Sequence, residues 1–160
     1  LTVRIRLARM DDFPAIMHTE NSCFGEERFD TGVVRAFLSR KDSFAVVAVD
    51  GVDVVGVAMC NCSERNARGR IASVAVLDDH RGKGMGSKLI KACEKEFRKR
   101  GITRFALEAA VDNKPAVRTY LSNGYVIKCT MKDYYSRGRG AYFMEKDVTM
   151  EGKRVKVKVS

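Results

Sequence analysis

The chain has 160 residues, enough for one domain with a substantial core and too few for two comfortable ones. Hydrophobic residues make up 45% and charged residues 31%, a globular balance that argues against disorder, and no apolar run reaches the length of a membrane span, so no membrane partner is expected. A net charge of +10 leaves three readings open: attraction to an anionic cofactor, contact with a ribosome or other nucleic-acid surface, or plain solvation.

The basic residues are scattered, with small clusters only at Arg98-Lys99-Arg100 and Lys153-Arg154. No nucleic-acid motif accompanies them, which favours solvation with cofactor attraction over a specific nucleic-acid partner; transient ribosome contact stays open. Five cysteines, an odd number, follow a start (Leu1 to Arg6) whose alternating charges do not resemble an export signal. Reduced thiols and a cytoplasmic location are expected. With two histidines and no second paired cysteine motif, no metal site is expected.

In chain order, Val3 to Leu7 alternates as a strand. Asp11 or Asp12 can cap a helix running to about Cys23, with Pro14 tolerated in its first turn. Asp30-Thr31 starts a second helix with Val33, Val34, Phe37 and Leu38 on its apolar face. Phe44 to Val49 and Val52 to Cys60 read as strands joined at Asp50-Gly51, and Asn61 to Gly69 as a polar loop. Ile71 to Leu77 is a buried strand. The next helix, from Met85 to near Gly101, places Met85, Leu89, Ile90, Cys93 and Phe97 on one side. Lys88, Lys91, Glu94, Lys95 and Arg98 lie on the other. Phe105 to Val111 is a strand, Asp112 or Asn113 caps a helix that Gly124 ends, and Tyr125 to Cys129 and Ala141 to Val148 are the last core strands. The order βααβββαβαββ predicts an α+β (mixed α/β) protein. It would have a mixed, twisted sheet of about seven strands and about four helices on both faces. One domain covers residues 1–150. Residues 151–160 are a basic tail or an extra strand, Val155 to Val159 alternating cleanly, and pairing with a second copy through that strand stays open.

Between the buried strand and the long helix lies His80-Arg81-Gly82-Lys83-Gly84-Met85-Gly86-Ser87. Alternate glycines let the backbone take positive φ and let a ligand come close, and free amides at a helix start make an anion site. The spacing fits neither a P-loop nor a dinucleotide fingerprint. It does fit R-x-x-G-x-G, on Arg81, Gly84 and Gly86, and so resembles the acetyl-CoA loop of the GNAT acyltransferase superfamily. The stretch from Leu107 to Tyr125, with Glu108, Asn113, Ala116, Tyr120 and Gly124, is similar to the late motif of that family. Tyr134-Tyr135 through Met144 is similar to a hairpin of its RimI-like protein N-terminal acetyltransferases, a form shared by archaeal members and the catalytic subunit of NatA.

The resemblance implies acetyl-CoA as cofactor and protein N-terminal peptides as acceptors, with direct transfer in a ternary complex. It implies that Val74, Ala75, Val76, Arg81, Gly82, Lys83, Gly84, Met85, Gly86, Ser87, Asn113, Ala116 and Tyr120 hold the cofactor. Pantetheine would enter where the strand of Val74 to Val76 diverges from that of Glu108. Glu108 would take a proton from the amine, directly or through a water, and Tyr120 would protonate the leaving thiolate. Phe24, Glu27, Phe29, Tyr134 and Tyr135 would line the peptide pocket. Two departures stand out. Some relatives have histidine after the glycine opening the fourth strand, where this chain has Arg70 after Gly69. Arg139-Gly140 stands where relatives often have acidic residues, and is expected to favour acidic or neutral second residues. A lysine or small-molecule amine as acceptor, or a basic binding protein that kept the fold without catalysis, are the alternatives.

Overall fold

The computed structural model describes residues 3–148. Its elements are β1 (Val3–Leu7), α1 (Phe13–Phe24), α2 (Thr31–Ser39), β2 (Ser43–Asp50), β3 (Asp53–Ser63), β4 (Arg68–Val76), α3 (Met85–Lys99), β5 (Arg104–Ala110), α4 (Lys114–Ser122), β6 (Val126–Met131) and β7 (Ala141–Asp147). The expected order is found. The seven strands form one sheet in the order β1-β2-β3-β4-β5-β7-β6. Among the described residues only β4 and β5 pair in parallel, and α3 makes the crossover between them.

Alternation along the central strands builds two cores. Val46, Ala48, Ala58, Cys60, Ile71, Phe105 and Leu107 face α3, where Leu89, Ile90, Cys93 and Phe97 are fully buried. Ala45, Val47, Val57, Met59 and Ala75 face the opposite side, against Ile16 of α1 and Val34 and Phe37 of α2. Both faces of β2 and β3 are therefore covered, as their near-continuous apolar runs require.

Two irregularities shape β4. Its register against β3 slips between Met59↔Ser73 and Cys60↔Ile71, leaving Ala72 as the extra residue. Its pairing with β5 runs only from Arg68↔Arg104 to Ile71↔Leu107. Beyond Ile71 the two strands separate, while β5 continues to pair with β7 as far as Ala110↔Ala141. Among the described residues, the second half of β4 thus has no strand partner on its β5 side.

Several local expectations need correction. The polar loop expected over Asn61 to Gly69 is short, because Asn61, Cys62 and Ser63 pair with Arg70, Gly69 and Arg68 at the open end of the sheet. Polar side chains there face water without breaking the ladder. Asp12 precedes α1 but makes no side-chain cap. Its carboxylate accepts from Arg6 (2.8 and 2.9 Å) and from the Arg9 amide (2.7 Å) instead. Val33 is exposed, leaving Val34 and Phe37 as the buried residues of α2. Glu94 is buried rather than solvated, accepting from the Tyr125 hydroxyl (2.8 Å) and Lys146 Nζ (2.9 Å). Two donors satisfy a carboxylate that falls one turn from Ile90 on the covered side. The expected tail or extra strand over 151–160, and any pairing through it, lies outside the described residues.

Gly69 fixes the start of β4 against α3. A Cβ there would lie 2.5 Å from the Phe97 ring, which stacks on Phe105 and meets Phe44 edge-on. The fully buried ring has nowhere to move. Gly69→Ala is therefore expected to cost about 1–3 kcal/mol by overpacking. A lower urea midpoint at unchanged m-value would register it.

Candidate functional site

The glycine loop forms one wall of a cleft. Gly82 and Gly84 have φ of +75° and +76°, a left-handed backbone that other residues resist. A Cβ at either would meet nothing within 4 Å, so both border open space. Gly84 sits at the helix cap without a capping side chain, and the first bond back into α3 is from Lys88 N to Gly84 O. The amides of Met85, Gly86 and Ser87 at the positive end of a fifteen-residue helix are left for an outside acceptor.

Val74, Ala75, Val76, Arg81, Gly82, Gly84, Met85, Gly86, Ser87, Asn113, Ala116 and Tyr120 all line this cleft of about 470 Å³. Lys83 is exposed and lies outside the lining. Arg81 turns back on its own strand, donating from Nε to Val76 O (2.8 Å) and pairing with Asp78 (2.8 Å), so it braces the loop. Asn113 caps α4 by accepting from Ala116 N at 3.3 Å. Cys23, Ile90, Pro115 and Thr119 complete the lining. The Tyr120 hydroxyl has no hydrogen-bond partner among the described residues, and burial pushes its phenol well above the ordinary tyrosine value. It stays protonated and able to donate.

A second pocket of about 260 Å³ opens on the other side of the sheet. Phe24, Glu27 and Phe29 from the segment joining α1 to α2, and Tyr134 and Tyr135 from the β6–β7 hairpin, line it. The two rims are joined: Glu27 accepts from both the amide and the hydroxyl of Ser136, and Arg137 pairs with Glu26 at 3.5 Å. Those bonds hold the Glu27 carboxyl below the usual glutamate range. Arg139 pairs with Asp112 (3.0 Å) and lies over the Tyr135 ring, so its charge is already answered at the rim. Burial and the neighbouring Tyr134 push the Tyr135 phenol up to about 12.

Glu108, on β5, lines this pocket and is bound by Arg70 of β4. Both Nε (2.9 Å) and Nη2 (2.8 Å) of Arg70 go to the same oxygen, Oε1. Oε2 has no partner among the described residues. Arg70 Nη2 also donates to the Tyr134 hydroxyl at 3.3 Å. The pair bridges the last parallel rungs of β4 and β5 just below their separation.

Sequence reasoning missed Glu20, Ser73 and Ala72. Glu20 is 1% exposed, yet carries a carboxylate at the pocket floor. It accepts from Ser73 Oγ of β4 (2.6 Å) and from Phe29 N (3.0 Å). Burial pushes its carboxyl above the ordinary glutamate value against these two bonds. A signal was present: Ile16, Thr19, Glu20 and Cys23 share one face of α1, so the charge falls on the covered side.

A profile of the acetyltransferase (GNAT) family matches residues 10–125. N-alpha-acetyltransferase 30 of Schizosaccharomyces pombe is 29% identical over 119 residues, 72% of this chain and 79% of that protein. The N-alpha-acetyltransferase of Sulfurisphaera tokodaii is 29% identical over 152 residues, 88% of this chain and 90% of that one. The crystal structure of Ard1 from Thermoplasma volcanium superimposes with a TM-score of 0.83 at 24% identity, covering 92% of this chain and 99% of that one.

A carboxyl raised by burial destabilises the fold once it ionises, so stability falls as pH rises from the unfolded value, about 4.3, through the folded one. A glutamine at position 20 can accept from Phe29 N and donate to Ser73 without charge. Glu20→Gln is expected to be at least as stable as wild type at pH 8, the difference closing as the pH approaches 4.3; paired thermal unfolding curves measure it.

Proposed function

Because the chain belongs to the acetyltransferase (GNAT) family, and so is an acetyl-CoA-dependent acetyltransferase, we propose that its acceptor is the α-amino group of a protein N-terminus, acetylated by direct transfer while both substrates are bound. The observation that carries this reading is the charge of the second pocket. Among the described residues, Glu20, Glu27 and Glu108 line it against one cation, Arg70, in a protein whose net charge is +10. Such a pocket favours an ammonium group. An α-ammonium has a pKa of about 7.7–8.0 against about 10.4 for lysine, and gives up its proton far more readily. The relatives named N-alpha-acetyltransferase support the same choice.

The open glycine loop and unpartnered α3 amides fit a diphosphate, with Val74 to Val76 alongside the pantetheine. Bound acetyl-CoA would supply the acetyl thioester. Glu108 Oε2 is free to receive the ammonium, while Arg70 holds the other oxygen. A backbone amide of the unpaired half of β4 would bind the thioester oxygen as charge develops on it. The Tyr120 hydroxyl would protonate the departing thiolate. No cysteine-linked acetyl is involved: burial pushes the Cys23 and Cys60 thiols up, away from the nucleophilic thiolate.

Calorimetry should show uptake of CoA by the wild type. Peptides with a free N-terminus should be acetylated and matched peptides with a blocked one left alone; modification of a lysine on the blocked peptide would overturn the acceptor assignment. Tyr120→Phe should lower kcat by roughly 10²–10⁴ while CoA still binds. An unchanged rate would remove Tyr120 from the chemistry.

A further inference from the structure

We infer that Ser73 and Glu20 form a proton relay, in which the Ser73 hydroxyl takes a proton from the substrate amine as it passes its own to Glu20, while the Arg70-bound Glu108 holds the ammonium in place. This rests on the reading that an amine is acetylated in the acidic pocket.

The geometry distinguishes the two carboxylates. Glu108 is tied to Arg70 through two contacts at 2.8 and 2.9 Å. Those contacts fix one oxygen of Glu108 beside the half-buried guanidinium. Among the described residues, Glu20 faces no cation in hydrogen-bond range. Its partners are the neutral Ser73 hydroxyl and Phe29 amide, and burial has already raised its carboxyl. A proton arriving there removes a buried charge instead of exposing one.

Glu20 is 1% exposed and out of direct reach of a bulky acceptor. Ser73 is half-buried, lines the same pocket and lies 2.6 Å from Glu20 Oε1. Ser73 directly follows the extra residue of β4, in the stretch that has parted from β5. The hydroxyl therefore sits between the buried carboxylate and the gap through which the reacting groups must meet. Among the described residues, the charged and titratable groups around the relay are Cys23 one turn along α1, with Arg81 and Asp78 beside it, and Glu27, Arg70, Glu108, Tyr134 and Tyr135 around the pocket.

The balance is simple. The ammonium loses two protons. One goes to Ser73 Oγ as the serine's own proton moves to Glu20, and from there to water when product leaves. The other reaches the leaving thiolate by way of Tyr120. One N–C bond forms and one C–S bond breaks.

The test is kcat/KM for a free-amine peptide at saturating acetyl-CoA from pH 6 to 9.5. Wild type accepts the ammonium form, so its rate should hold until Glu20 itself takes a proton. Glu20→Gln and Ser73→Ala can use only amine that is already neutral. Their rates should follow the peptide's own pKa, with a loss of about 20-fold at pH 6.5 for an amine near 7.8. By pH 9 they should come within about threefold of wild type. Ser73→Thr, which keeps the hydroxyl, should return the wild-type profile.

A loss uniform across pH, an unchanged profile, or a wild-type rate that already follows the peptide's pKa would each overturn the relay. If a lysine or a small amine is the true acceptor, the functional reading fails, and the relay is judged by the same shift on that amine. Folded, CoA-binding wild type that acetylates no amine would overturn both.

Discussion

The parting of β4 from β5 after Ile71↔Leu107 is the constraint on which everything else depends. Above that rung, the backbone of residues 72–76 loses a partner strand and gains a free edge inside the protein. The extra residue at Ala72 lets β4 bend away while it still pairs with β3 to Val76. A sheet that would otherwise separate its two faces is open at one place. The cleft beside α3 and α4 lies on one face and the acidic pocket beside α1 lies on the other. Gly69 and the Phe97 ring hold the lower half of β4 in position, so the separation starts at a fixed height.

Charge is sorted across that opening. The overall excess of basic residues suits approach of a polyanion, and the uncapped amide end of α3 offers it a place to stop. On the opposite face, Glu20, Glu27, Glu108 and Arg70 line one pocket, and Glu108 pairs with Arg70. The open amides and the carboxylates thus lie on opposite faces of the sheet. Arg70 and Glu108 stand at the boundary, and their ion pair ties the last joined rungs of the diverging strands.

What was legible in the sequence is what is local. The glycine loop and the cap at Asn113 could be read because a strand-turn-helix fixes each within a few residues of a recognisable signal, whereas Tyr120 was singled out by the family resemblance. The strand and helix order could be read for the same reason. Glu20 and Ser73 lie 53 positions apart, and Arg70 and Glu108 lie 38 apart, so their meetings depend on how α1 packs on β4 and how β4 pairs with β5. Glu94 was misplaced because helical spacing alone sets it at the border of the buried face; the donors that admit it come from Tyr125 and Lys146, far along the chain. Arg81 matched a motif, yet its guanidinium serves Val76 and Asp78.

The bonds from Glu27 to Ser136 and from Glu26 to Arg137 tie the two rims of the acidic pocket to each other. Between tied rims a loose chain tip enters more readily than the middle of a strand. For any polypeptide acceptor, opportunity then depends on timing: a tip already tucked into its own fold offers nothing to pass through, while one that is newly made or permanently frayed does.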